Sequence, residues 1–196
     1  MRMKKGLLVL AAVTLPLASV VLLEGTAVAK SVVGTGAVNC SIGGSISFNP
    51  PLSSAGTAGV KKTVTTVTAS LSSCSGGTPA ASPSATTVKP IKAKVAKGTN
   101  ASTCSGFDAS ASSITVKAKQ TWVGAKPTKF QVSHLSIVAN GEGELGFSGS
   151  FTATGSYGGS GHLTVYLTAA SSTQIATCSG QISSAQLDRS TSTVGI

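Results

Sequence analysis

Val32-Val33-Gly34-Thr35-Gly36-Ala37-Val38-Asn39-Cys40-Ser41-Ile42-Gly43-Gly44-Ser45-Ile46-Ser47-Phe48 decides the fold of this chain. Its even positions are Val, Gly, Gly, Val, Cys, Ile, Gly, Ile and Phe, and its odd positions are mostly Thr, Ser and Asn. A period of two with one apolar face is the signature of a half-buried strand. Cys40 falls on that face. Pro50-Pro51 is expected to end the run, because proline cannot donate to a ladder.

The same alternation recurs downstream. Lys61 to Ser73 places Val67, Ala69 and Leu71 on one face, with Val64 out of phase, which predicts a bulge near Thr65-Thr66. Thr86 to Lys97 turns Ile91, Ala93 and Val95 inward and Lys92 and Lys94 outward, with Pro90 suiting an edge. Ser113 to Val123 sets Ile114, Val116, Ala118 and Trp122 against Thr115, Lys117, Lys119 and Thr121. Lys129 to Ala139 changes phase at Ser133-His134, a second expected bulge, and Asn140-Gly141 signals a two-residue hairpin. Strands follow at Glu144 to Thr154 and His162 to Ala169, then a helical turn before Cys178, then a weaker strand over Gln181 to Ile196. About eight strands in hairpin succession predict an all-β fold, an antiparallel β-sandwich or a closed barrel, and the spacing of the strands favours a sandwich that curls toward a barrel. No linker divides it.

Arg2, Lys4 and Lys5 precede an almost wholly apolar Gly6 to Leu23, and Ala27-Val28-Ala29 is a small-residue cleavage site. Residues 1–29 therefore read as a secretory signal-peptide helix, removed from a single domain over 30–196. The alternative, a retained anchor, lacks a basic stop after the segment. No second apolar span occurs, so no integral membrane segment is expected after cleavage. In an exported chain, the even count of Cys40, Cys74, Cys104 and Cys178 reads as two disulfides. Of the three connectivities, Cys40–Cys74 with Cys104–Cys178 is favoured, because Cys40 and Cys74 are equidistant from Thr57 at the centre of the first hairpin loop.

Chemistry is sparse. A serine nucleophile needs a histidine base oriented by a third group. His134, His162, Asp108 and Asp188 are available, but no nucleophile elbow precedes a helix. Gly158-Gly159-Ser160-Gly161-His162 reads as a glycine-rich turn. Glu142 and Glu144 would sit about 7 Å apart on one strand face, inside the range for paired carboxylates, yet they adjoin a turn where solvated charge is ordinary. The histidines lack zinc-site spacing and no CxxC occurs, so no metal or cofactor is expected. The expectation is a non-enzyme.

Charge is the one feature with functional reach. The chain after residue 29 holds twelve Lys and Arg against four acids, a net of +8. If the strands carrying Lys92, Lys94 and Lys117, Lys119 pair, four ammonium groups form one patch. Lys61, Lys62, Lys89, Lys97, Lys126 and Lys129 add to its field. Such a patch suits an anionic or carbohydrate component of the cell envelope. Specific nucleic-acid binding is not expected, because aromatics that would stack bases are missing from it. Lysine on strand faces also blocks edge aggregation. A second possibility is a carrier, since inward Gly and Ala leave room for a small apolar ligand.

Gly36-Ala37-Val38-Asn39-Cys40, Gly44 through Leu52, Leu71-Ser72-Ser73-Cys74-Ser75-Gly76-Gly77, Trp122 and Gly146-Phe147-Ser148-Gly149-Ser150-Phe151 occur in that order. The arrangement resembles the small secreted, four-cysteine, Gly/Thr-rich β proteins of actinobacteria. The resemblance implies an extracytoplasmic all-β domain and supplies no catalytic residues. The high lysine content is not explained by it.

Overall fold

Strand alternation carries the chain into one antiparallel sheet. The computed structural model describes residues 31–60, 62–94, 102–111 and 114–196. The expected export signal lies outside them, as do Lys61 and Lys97. The strands are β1 (Thr35–Leu52), β2 (Lys62–Thr78), β3 (Pro83–Val88), β4 (Ile91–Lys94), β5 (Thr115–Trp122), β6 (Thr128–Ser133), β7 (Ser136–Ala139), β8 (Leu145–Gly155), β9 (Gly159–Leu167) and β10 (Ile182–Gly195). Helix α1 (Cys104–Ala111) precedes β5 and α2 (Ala169–Thr177) precedes β10.

The order across the sheet is β3-β5-β6-β8-β9-β10-β1-β2-β4, with β7 also paired to β8. β3 and β4 stand at opposite ends of this order, yet only Lys89 and Pro90 separate them in sequence. Lys89 N–H donates to the Lys117 carbonyl at 2.9 Å, and Ile91 pairs with Thr65 on β2. The two edges therefore meet, and the sheet is a curled barrel rather than two facing layers.

Four expectations change in detail. β1 continues through Pro50-Pro51 to Leu52, and its pairing with β10 shifts register between Ser47 and Leu52, where the prolines lack donors. The stretch expected as one strand over 86–97 is two, because Pro90 interrupts the ladder. The bulge expected at Thr65-Thr66 lies at Ser73, where Asn39 faces Ser75 and Ser41 faces Ser72, leaving one extra residue on β2 with φ 48°. Asn140-Gly141 opens a five-residue loop, since Ala139 pairs with Leu145. The Asn140 side-chain oxygen accepts from the Glu142 and Glu144 amides at 3.0 and 2.9 Å and stiffens that loop. The bulge expected near His134 is present. His134 adopts φ 56°, and three residues between Val132 and Ser136 match two between Phe151 and Ser148.

Both disulfides form as favoured, Cys40–Cys74 and Cys104–Cys178. The first clamps β1 to β2. The second ties the start of α1 to the residue that ends α2. Thr103 caps α1 by accepting from the Gly106 amide at 2.9 Å. α1 packs on β4 and β7, and α2 on β8, β9 and β10, so the pair covers one end of the barrel.

Aromatic contacts fix the ends. Phe107 of α1 meets Phe48 and Phe147 edge-on, with centroids 5.1 and 5.8 Å away. At the other end Trp122 packs edge-on against Tyr157 at 5.0 Å and donates to the Thr128 hydroxyl at 2.8 Å. The Tyr157 hydroxyl donates to the Pro79 carbonyl at 2.8 Å, and burial pushes its pKa above the usual phenol value. Gly34 is required beside it, because a Cβ there would lie 2.4 Å from the Tyr157 ring.

Candidate functional site

The inward faces do not close on one another everywhere. Between the Phe107 end and the Trp122 end runs a slot of about 140 Å³. Its wall draws on nearly every strand, including Val67 and Leu71 of β2, Val116 and Ala118 of β5, Phe147 of β8 and Val194 of β10. The surface facing it is entirely apolar. Val67, Leu71, Val116 and Ala118 point inward yet are only half-buried, because the slot lies against them. A shallower recess of about 300 Å³ lies over the Cys104–Cys178 disulfide, lined by Ser105, Leu145 and Ile175. It is larger, but it lies against α1 and α2, outside the ring of strands.

Thr63 and Thr65 of β2 follow the inward phase of Val67, Ala69 and Leu71. They are 1% and 4% exposed, and neither hydroxyl has a hydrogen-bond partner among the described residues. A buried unsatisfied hydroxyl costs about 1–3 kcal/mol, so two on one strand are unusual. Thr65 lines the slot. Thr86, also in the wall, is different, because its hydroxyl donates to the Gln120 side-chain oxygen. Sequence reasoning passed over Thr63 and Thr65 by placing a bulge there. An unbroken count of alternate residues back from Leu71 would have found both.

The lysines fall in two places. β3 pairs with β5, but the half carrying Lys92 and Lys94 leaves to pair with β2, where Lys92 faces Val64 and Lys94 faces Lys62. Pro90 is the reason. The expected cross-strand pairing of Lys92 and Lys94 with Lys117 and Lys119 therefore does not form. A different group does. Lys119 faces Lys129 on β6, and Lys117 lies beside Lys89. All four side chains are exposed, and β3, β5 and β6 carry no acidic residue.

Catalytic groups remain scattered. The 158–162 stretch is mostly strand, and His162 Nε2 lies 2.7 Å from Ser148 Oγ across β8 and β9. Both atoms sit on the outer face of the sheet, and no carboxylate orients the ring among the described residues. Asp188 accepts from the Ser190 hydroxyl and amide at 2.7 and 2.8 Å, which hold its pKa below the usual value. Glu144 is buried with its carboxylate on the Asn140 amide at 2.7 Å, whereas Glu142 is exposed in the same loop. Both residues thus lie in the loop rather than on a shared strand face, and only the Glu144 carboxylate is bonded within it. His134 sits exposed at the break between β6 and β7. Among the described residues no cluster of His, Cys, Asp or Glu could hold a metal, and no helix is long and apolar enough to cross a membrane.

No family model, curated protein or solved structure matches the chain.

Proposed function

We propose that the protein is a secreted, non-enzymatic carrier that takes one small apolar molecule into the slot of its barrel. The slot itself carries this reading. Its volume of about 140 Å³ is close to that of an engineered apolar cavity, about 150 Å³, that stays dry and binds benzene. Access fits the seam, since β4 pairs with β2 and, among the described residues, no ladder joins it to β5. Export by residues 1–29 and kinship with the actinobacterial proteins belong to the same proposal, and two disulfides support an oxidising destination.

Titration with n-hexane, followed by methyl NMR, tests it. Saturable shifts are expected at Val67, Leu71 and Val116. Shifts confined to outward methyls, or none, would remove the reading.

A second reading is that the protein docks on an anionic or carbohydrate polymer of the cell envelope. The cluster of Lys89, Lys117, Lys119 and Lys129, without acids on its strands, favours it. Retention on isolated cell wall is expected to fall between about 0.01 and 0.15 M salt, as the screening length drops from about 30 to 8 Å. Lys119→Glu with Lys129→Glu is expected to abolish it. Retention indifferent to salt would exclude this mode.

A further inference from the structure

We infer that the slot selects a neutral ligand carrying one hydrogen-bonding group, an alcohol or ketone on a short apolar body, and seats that group on the Thr65 hydroxyl. This rests on the reading of the slot as a binding site and adds the ligand's chemistry to it.

Thr65 contributes to the wall, is 4% exposed and has a hydroxyl with no partner among the described residues. The slot-facing surface is apolar, so the hydroxyl lies just behind the wall and the carbon atoms of the side chain face inward. Threonine's χ1 wells interchange these positions. Because the hydroxyl holds no bond where it lies, turning it toward a ligand breaks none. A hydroxyl both donates and accepts, so it serves an alcohol or a carbonyl. Thr86 cannot compete, since its hydroxyl is engaged with Gln120.

The sign of the ligand follows from what the wall lacks. Among the described residues no cation lines the slot. A carboxylate head would be buried with one neutral hydroxyl and no counter-charge, which is strongly unfavourable. Geometry sets the pose. Thr65 pairs with Phe48 at the α1 end of the barrel, and Leu71 lies six residues along the same strand, about 20 Å away by strand rise. The polar group therefore sits near α1, with the apolar body running toward Val67.

The test compares 1-hexanol, n-hexane and hexanoate on the full protein by methyl NMR. A slot with no partner for the hydroxyl would favour hexane over hexanol by about tenfold or more. With Thr65 available, hexanol is expected to bind within about threefold of hexane, and hexanoate not to bind. Thr65→Val is expected to restore the tenfold preference for hexane, and Thr65→Ser to retain the wild-type ratio. A tenfold preference for hexane in the wild-type protein, or the same ratio in Thr65→Val, overturns the inference while the slot remains a binding site. Binding of hexanoate as tight as hexanol overturns the neutral selection. Failure of hexane itself to bind removes the underlying proposal instead.

Discussion

Ala118→Phe is expected to abolish n-hexane binding while leaving a folded barrel. Ala118 lines the slot between Val88 on β3 and Phe130 on β6, its two cross-strand neighbours. Its inward methyl is half-buried, so a larger side chain has only the slot to enter. A phenyl ring there occupies the space that the probe needs. Affinity should fall by about hundredfold, equivalent to about 2.7 kcal/mol. Stability should move far less, because overpacking costs about 1–3 kcal/mol and filling a void returns about 0.5–2. Binding is read by NMR titration and stability by urea unfolding. Unchanged hexane affinity in a folded variant would show that the probe binds elsewhere.

The second large effect concerns the covalent frame. Replacing Cys104 and Cys178 with serine should destabilise the protein by about 4.5 kcal/mol in the chain-entropy model. The reason is the separation of 74 residues that this bond spans. The Cys40–Cys74 bond spans 34 and should be worth about 3.8 kcal/mol. At about 2–4 °C per kcal/mol for a chain of this size, the first change lowers Tm by roughly 9–18 °C. Local structure adds to the difference. α1 has eight residues, too few to persist alone in water. Without the bond, Phe107 loses the anchor that presses it on Phe48. A smaller loss from the Cys104–Cys178 pair than from the Cys40–Cys74 pair would contradict this ranking.

Much of the fold is legible from residue types alone. The two-residue period of β1 and β5 reads directly, because each has one face to solvent. The disulfide pairing follows from the hairpin, since the register brings Cys40 and Cys74 between Asn39–Ser75 and Ser41–Ser72. What stays hidden is long-range. Pro90 marks where β4 leaves β5, but nothing local names β2 as its new partner, because that choice depends on the whole sheet curling until its edges meet. α1 is hidden too, since Cys104 to Ala111 is Ser- and Ala-rich and helical only with its cap and bond in place. The inward small residues allow a slot, but no local pattern names its wall. Thr65 was obscured because a threonine facing a core contradicts the usual pattern, and a bulge was the simpler local explanation. Such a contradiction between pattern and place is where function is to be sought.

The pairing of β1 with β10 has a kinetic consequence. Asn39 faces Gly195, so the middle of the sheet joins β1 to β10, the pair of described strands farthest apart in sequence. β1 cannot complete its ladder until synthesis has delivered β10. A topology this non-local folds in milliseconds to seconds rather than microseconds. Until β10 is available, β1 keeps one edge of its ladder open.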